Sequence, residues 1–310
     1  MEYDTAGDPV SGCKWTRKTT FKIAQQLKRI GIRVSANTVG KLLKQMDFSL
    51  RVNLKTLESG LSKPPDPRER DLQFRYIRSQ IRSYAALGMP MISVDTKSRE
   101  LMGLFHQPGR RWSQYPIKVF DHDFPSDSQG IAIPYGIYDL SRNEGFVCVG
   151  TSRDTSEFAV DSIRTWWLQA GARHYPYADR LLILADSGGS NGYRTRLWKH
   201  QLHIAFCNPF GLQVKVCHYP PGSSKWNPIE HRMFSFISNN WAAQPLRDYE
   251  TVLKFIRTTK TTAGLKIRAS LNKKHYDKGK KVSDQQMQRI ALKRYTLRPN
   301  WNYSIAPSKM

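Results

Sequence analysis

The sequence lacks the features that mark several other classes of protein. It has no run approaching the ~18 apolar residues of a membrane helix, and no signal peptide opens it. Its four cysteines form no CxxC pair, which argues against a zinc knuckle or a disulfide framework and favours a reducing cytoplasm. It contains neither a GxxxxGK[ST] loop nor a GxGxxG turn, so the use of ATP or a dinucleotide is not indicated. The histidines show no HxxxH or HxH spacing, which argues against a zinc hydrolase.

Acidic residues are also scarce, with 25 against 49 lysines and arginines, for a net charge of +24. The net charge is 17 − 8 = +9 over residues 1–90, 17 − 14 = +3 over 91–249, and 15 − 3 = +12 over 250–310. Lysine and arginine release counterions from phosphates, so basic ends around a nearly neutral centre predict a nucleic-acid partner. General solubility and attraction to a membrane surface are the alternative explanations of this charge.

The first region, residues 1–60, predicts two helices joined by a short turn. Apolar residues recur at helical spacing over 19–31 and again over 35–46. This spacing resembles a helix-turn-helix, a DNA-binding motif whose second helix enters the major groove. The outer face of that helix would carry Asn37, Thr38, Lys41, Lys44 and Gln45. A plain helical hairpin would give the same pattern.

The rest of the chain predicts an α/β layout. Residues 51–67, with Gly60 and then Pro64 to Pro67, predict a turn-rich linker, and a helix is predicted over 68–87, so 61–90 is assigned as linker and helix. Residues 91–250 show three strands in succession, then helix, strand, helix, strand and helix. This order predicts a mixed five-stranded sheet. Residues 251–310 form a basic C-terminal region, predicted to be helical from 283 to about 293.

Three acidic residues stand where such a sheet can bring them together. Asp95 ends the first strand, Asp186 ends the fourth strand before a glycine-rich turn, and Glu230 opens a helix. Each has an ordinary explanation on its own: Asp is common at strand ends and turns, and Glu230 could complete a capping box with Asn227 as the N-cap. Together they are more informative, because sites in open α/β sheets form at the ends of the strands.

Carboxylates at these positions suit divalent metal ions. Mg²⁺ prefers oxygen ligands, and two ions ~4 Å apart can activate an attacking oxygen and stabilise a leaving one. Asp121, His122 and Asp123 form a rival cluster, although they lie in a predicted loop. Just before Glu230, Lys225 is placed to hold a phosphate and Trp226 to stack on a base. An ordinary tight loop with a packed tryptophan is the alternative for this pair.

Five segments resemble the ISAzo13-type (Rhodopirellula-type) insertion-sequence transposases, and the resemblance extends over residues 15–307. These segments are VDTK at 94–97, IPYGIYD at 133–139, DTSEFAV at 154–160, DSGGSNG at 186–192 and PPGSSKWNPIEHR at 220–232.

The resemblance implies a DDE transposase with an RNase H-like core preceded by the helix-turn-helix region. Asp95, Asp186 and Glu230 would take the three catalytic, metal-binding places, with two Mg²⁺ ions for which Mn²⁺ can substitute. The implied reaction is hydrolysis at the element ends, followed by attack of each freed 3′-OH on target DNA. The implied partners are double-stranded DNA, as terminal inverted repeats and target, and further copies of the chain on that DNA. The implied location is the bacterial cytoplasm, at the nucleoid.

The sequence also departs from the family pattern. The chain starts close to the helix-turn-helix, and the basic run expected after Asp95 is reduced to KSRE at 97–100. These departures keep a second hypothesis open, a truncated or domesticated remnant that binds DNA without transposition. A third hypothesis is a host RNase H-like nuclease or resolvase that cuts DNA without strand transfer.

Overall fold

The computed structural model describes residues 6–7, 14–15, 18–50 and 66–308. Its internal contacts divide the chain into two units, Met1–Lys55 and Thr56–Met310. Most of the lead-in predicted at 1–14 and of the linker predicted at 51–67 lies outside the described residues. The four-part division of the chain at 60, 90 and 250 stays a prediction.

The first unit contains the two predicted helices, α1 (Thr20–Arg29) and α2 (Ala36–Gln45). A short antiparallel pair, β1 (Ala6–Gly7) and β2 (Lys14–Trp15), precedes them. Ser35 begins α2, because its hydroxyl accepts a hydrogen bond from the Thr38 amide at 3.1 Å and so satisfies one free N–H of the first turn. The helices have the length and spacing that the sequence predicts.

The second unit is built on one mixed sheet. Its strands are β3 (Met91–Thr96), β4 (Glu100–Met102), β5 (Gly130–Asp139), β6 (Glu144–Gly150), β7 (Arg180–Ala185), β8 (Gln213–His218), β9 (Lys266–Asn272), β10 (Leu292–Arg294) and β11 (Asn302–Ile305). Their spatial order is β10-β11-β8-β7-β3-β5-β6-β9, and β4 pairs with β5.

The centre of this sheet has the RNase H-like arrangement. Strands β3, β5 and β6 form an antiparallel meander, and β7 and β8 add in parallel on the other side of β3. The five central strands therefore follow the order β8-β7-β3-β5-β6. Parallel neighbours need a crossover connection, and helical segments supply it before β7 and before β8. The predicted fold class is confirmed.

Helices cover both faces of the sheet. They are α3 (Pro67–Ala86), α4 (Ser156–Trp166), α5 (Ala172–His174), α6 (Arg196–Gln201), α7 (Asn208–Phe210), α8 (Ser235–Asn240), α9 (Tyr249–Thr258) and α10 (Asp284–Gln288). One apolar cluster joins α4 and α6 to the sheet, and a second joins α8 and α9 to the opposite face. A third cluster packs α3 against β3, β7 and β8. None of the helices in the described part of the chain combines the length and apolar character that a membrane crossing requires.

The sheet extends beyond the five predicted strands because the basic C-terminal region adds strands at both edges. β9 pairs with β6, and β11 pairs with β8 and carries β10. The predicted helix at 283–293 is shorter, since α10 ends at Gln288 and β10 follows. In β11, Tyr303 and Ile305 alternate with Asn302 and Ser304 and all four are buried, but a run of four residues is too short for its alternation to identify a strand. Asn302 is satisfied there by hydrogen bonds with Gln73 of α3.

A glycine lets the segment that begins at Glu230 lie close against the sheet. Gly136 of β5 is the register partner of Asp95. A Cβ atom at this position would stand 2.6 Å from the Phe234 ring and 2.7 Å from the Met233 methyl group. Real Cβ atoms do not approach other atoms this closely. Only glycine at this position therefore lets the segment pack so near to β5.

We therefore expect Gly136→Ala to destabilise the protein. Overpacking at a filled core position costs about 1–3 kcal/mol, which urea unfolding would measure as a lower free energy of unfolding. Gly188→Ala is the matched control, because a Cβ there meets no atom within 4 Å. Equal stability of Gly136→Ala and the parent chain would contradict this account of the packing.

Candidate active site

The register of β3 and β7 places two of the predicted acids side by side. The last parallel pair in this ladder is Val94 with Ala185, so Asp95 and Asp186 are the next residues on neighbouring strands. Side chains alternate along a strand, and both acids fall on the face opposite Val94 and Ala185, which pack into the core. Both are half-buried, which leaves them accessible from the edge of the sheet.

Glu230 reaches the same place from the connection after β8. A π-helical turn, Glu230–Phe234, starts at this residue and continues into α8. The Ile229 amide just before it donates a hydrogen bond to the Ser93 hydroxyl at 3.3 Å. Ser93 lies two residues before Asp95, so this contact fixes the start of the turn on the face that carries the acids.

Asn227 links the segment before Glu230 to β3 and to Asp186. Its side-chain amide donates to the Asp186 carboxylate at 3.0 Å and lies 3.5 Å from the Val94 carbonyl. Its side-chain oxygen accepts a hydrogen bond from the Ser93 hydroxyl. The residue is fully buried. One side chain therefore ties the loop before Glu230 to the strand of Asp95 and to the carboxylate of Asp186.

The capping box considered for Glu230 is absent. The turn at 230–234 follows Ile229 without a side-chain cap, and Asn227 contributes only its backbone carbonyl, which accepts from the Glu230 amide at 3.1 Å. The Asn227 side chain is already committed to the two strands. A helix-capping role therefore does not explain why a glutamate stands at position 230.

The three carboxyl groups influence one another. Burial raises the pKa of Asp95 to about 8, and the charges of Asp186 and Glu230 add to the effect, while the Thr96 amide opposes it. Burial likewise raises the pKa of Asp186 to about 6, against the Asn227 hydrogen bond and with the charge of Glu230. Like charges in a poorly solvated place favour retention of protons. The site is thus acidic in composition and short of positive charge.

The donor chemistry of this site fits a divalent ion. All three side chains offer carboxylate oxygen, the ligand type that Mg²⁺ prefers, and a cation would relieve their repulsion. Among residues 18–50 and 66–308, however, no group of three or more acidic, histidine or cysteine side chains is placed to hold an ion. The fit thus rests on the type of donor and on the shared location. The metal-binding roles of Asp95, Asp186 and Glu230 stay predictions.

The other predicted site residues are exposed. Trp226 keeps 56% of its surface accessible, and the Lys225 ammonium lies 5.7 Å from the centre of its ring. In the first unit, Asn37, Thr38, Lys41 and Lys44 all face solvent along α2. These positions leave them free to meet DNA, and their DNA-binding roles stay predictions. The rival cluster of Asp121, His122 and Asp123 lies in an exposed loop.

Sequence reasoning missed the residues that hold the acids in place. Ser93 and Asn227 form the link described above. His218 is buried, its Nδ1 donates to the Asp186 carbonyl at 2.8 Å, and its Nε2 lies 3.0 Å from the Tyr303 hydroxyl. Burial lowers the pKa of His218 to about 4, so this imidazole is neutral. The one available signal was position, because Ser93 precedes Asp95 by two residues and shares its face.

The raised pKa values predict that stability falls as pH rises. From pH 4 the folded chain retains a proton on Asp186 up to about pH 6 and on Asp95 up to about pH 8, whereas the unfolded chain has lost both. The free energy of unfolding must then decrease with pH across this window. We expect Asp95→Asn in the presence of a chelator to melt at a higher temperature than the parent at pH 8, and to differ less at pH 5. Each kcal/mol regained corresponds to roughly 2–4 °C.

Asp121→Asn is the control for this measurement, since the Asp121 side chain is 94% exposed. It should melt like the parent at both pH values. A melting temperature of the parent that stays level from pH 5 to pH 8 would contradict the raised pKa values of Asp95 and Asp186.

Comparisons with known proteins give a family for the chain. A family model described as "Rhodopirellula transposase DDE domain" matches residues 1–307. No curated protein sequence matches the chain. Among solved structures, a Mos1 transposase paired-end complex with the left transposon end shares 16% identity at a TM-score of 0.42, and the Mos1 strand transfer complex 14% at 0.45. A mariner Mos1 paired-end complex with Mg shares 16% at 0.47.

These alignments cover 77% of this chain, which spans only about 65% of the length of the Mos1 chains. The family match, in contrast, includes all the described elements of both units. The chain belongs to the Rhodopirellula-type family of DDE transposases.

Proposed function

We propose that the chain is the transposase of an insertion sequence, which binds the element ends and carries out DNA cleavage and strand transfer. The observation that supports this most is the β3–β7 register, which sets Asp95 beside Asp186. Hydrogen bonds of Ser93 and Asn227 hold the turn that begins at Glu230 on the same face of the sheet. Membership of the DDE transposase family supports the same activity.

Asp95, Asp186 and Glu230 are the proposed catalytic residues, and their carboxylate oxygens are the proposed ligands of two Mg²⁺ ions, for which Mn²⁺ can substitute. When bound, such ions supply the positive charge that activates an attacking oxygen and stabilises a leaving one. The protein's own contribution is to hold the ligands in position. Asn227 orients the Asp186 carboxylate, and the buried backbone of β3 fixes Asp95.

The proposed reaction has two steps. In the first, a water oxygen attacks the phosphorus at the element boundary, and the bond from phosphorus to the 3′ oxygen breaks, which leaves a free 3′-OH. In the second, this 3′-OH attacks a phosphorus of target DNA, and the equivalent target bond breaks. Each bond formed replaces a bond broken, so the exchange needs no covalent protein–DNA intermediate.

The DNA contacts are divided between the two units in this proposal. α2 of the first unit binds the terminal inverted repeats. Asn37 and Thr38, near the start of α2, contact the bases, and Lys41 and Lys44 contact phosphates. Lys225 and Trp226 of the second unit hold the strand beside the acids. Several copies of the chain would act together on the DNA, at the nucleoid in the bacterial cytoplasm. The strong positive charge supports a DNA partner.

The first prediction of this proposal concerns Asp186. A supercoiled plasmid that carries the gene and its native flanks should be nicked at the element boundaries by the parent chain with Mg²⁺ or Mn²⁺. Asp186→Asn should abolish the nicks, because the amide cannot replace the carboxylate charge, while DNA binding stays nearly unchanged. Asp121→Asn, a matched change in an exposed loop, should nick like the parent.

The outcomes separate the three hypotheses. Joined products on a second plasmid support strand transfer, whereas nicks without any joining would favour a nuclease or resolvase. Salt-sensitive binding to the flanks without cleavage would favour the DNA-binding remnant. Cleavage by Asp186→Asn at the parent's rate would refute the assignment of this residue.

A second prediction concerns α2. Each lysine that contacts a phosphate contributes about 0.9 to the slope of log affinity against log salt. Lys41→Ala and Lys44→Ala should each lower this slope by about that amount and weaken binding to all duplexes alike. Asn37→Ala should instead reduce the preference for the element end over unrelated DNA. Arg173→Ala, an exposed charge of the second unit, is the control for the lysines. Unchanged slopes would contradict the role of α2.

A further inference from the structure

A groove of about 690 Å³ lies in the second unit, between α3 and the connection that follows β8. This volume is in the range of sites that receive a small molecule or a single monomer of a polymer. The catalytic proposal does not use α3 at all. Its lining combines aromatic side chains with charged ones, from α3 on one side and from residues 219–226 on the other.

Aromatic rings form one wall of this groove. Phe74 lies 6.1 Å from both Tyr219 and Trp226 by ring centres, and it meets Trp226 edge to face at 70°. This contact holds the indole in place while more than half of its surface stays exposed. An exposed indole held by a neighbouring ring offers a flat, rigid surface for another flat group.

The rim of the groove is cationic. Arg70, Arg78 and Lys225 are among its lining residues, and Asp71 is the acid among them. Asp71 is engaged with Arg75 in an ion pair of 2.8 Å on the same helix. The lining thus has two more positive than negative side chains, 3 − 1 = +2. Such a rim suits a phosphate-bearing ligand that places a flat ring on the aromatic wall.

Two lining residues of the groove, Tyr219 and Trp226, are directly connected to residues that hold Asp186. Trp226 directly precedes Asn227, whose side chain donates to Asp186. On the other side, the Tyr219 amide donates to the Ala185 carbonyl at 2.8 Å, one residue before Asp186. The charge of Asp186 contributes to the raised pKa of the Tyr219 phenol, after burial as the main cause. The aromatic wall of the groove and Asp186 are therefore neighbours, joined through Asn227 on one side and Tyr219 on the other.

We infer that this groove binds one unpaired nucleotide of the DNA strand next to the scissile phosphate, with its base on Trp226 and its phosphates at Arg78 and Lys225. The inference rests on the proposed function and adds a subsite to it. A duplex keeps its bases stacked inside, so the aromatic wall can be used only where a base leaves its partner. The groove would thus favour DNA that is open or frayed at the cleavage position.

The test compares a blunt duplex with the same duplex carrying a short single-stranded overhang, both bound to the full chain in a chelator. We expect the overhang to bind more tightly. Stacking of a base on an aromatic side chain is worth about five- to 150-fold in affinity. Trp226→Ala should remove a preference of that order, and Trp226→Phe should retain most of it. A fluorescent purine analogue in the overhang should be quenched by the parent and not by Trp226→Ala.

Two control variants accompany the test. Tyr177→Ala removes an aromatic ring that is 92% exposed before β7, at the end of that strand opposite Asp186. Arg82→Ala removes a cation from α3 outside the groove lining, as a match for Arg78→Ala. Both controls should keep the overhang preference, whereas Arg78→Ala should reduce it.

The possible failures can be told apart. If the parent binds blunt and overhang DNA equally, or if Trp226→Ala keeps the preference, the groove is not a nucleotide site, although the transposase proposal stands. If the parent binds neither DNA, both proposals fail. If Asp186→Asn has no cleavage activity and keeps the overhang preference, the groove acts independently of the chemistry, as the inference requires.

Discussion

The candidate active site depends on the backbone hydrogen bonds between β3 and β7, because their register sets Asp95 beside Asp186 at the point where the two strands stop pairing. Strands pair with a fixed side-chain period of two, so a slip of one residue would turn one acid into the core. Burial of Val94 and Ala185 on the opposite face prevents that slip. The remaining contacts of the site, including those of Asn227, depend on this register.

The ladder also explains why the site is electrostatically costly. It brings two carboxyl groups into a half-buried place, and the Glu230 turn adds a third. In a chain of net charge +24 this is a concentration of acidic groups, and the hydrogen bonds to Asp95 and Asp186 come from the amides of Thr96 and Asn227. Amides orient a carboxylate without neutralising it. A bound cation would displace the protons that these raised pKa values retain, which suits the metal-dependent cleavage proposed above.

The C-terminal region supports the same part of the sheet from the far side of β8. Gln73 of α3 donates to the His218 carbonyl and exchanges hydrogen bonds with Asn302 of β11, so one buried network joins the helix, the central sheet and the end of the chain. His218 in turn donates to the Asp186 carbonyl. A buried polar network of this kind is stable only when all its members are paired, and it makes the position of Asp186 depend on residues more than a hundred positions away.

The sequence by itself determined the local elements and the type of chemistry. The helices of the first unit, the five central strands and the three acids follow from apolar periodicity, turn residues and the chemistry of the carboxylate group, and the family motifs added the RNase H-like order. Only the tertiary structure decided that Asn227 would serve as a link between strands instead of a helix cap, that β9 and β11 would extend the sheet, and that Phe74 would meet Trp226. These outcomes depend on which surfaces pack together, because a polar side chain in a turn or a strand is stable wherever a partner exists. A local sequence pattern cannot predict which residue a hundred positions away will be the partner.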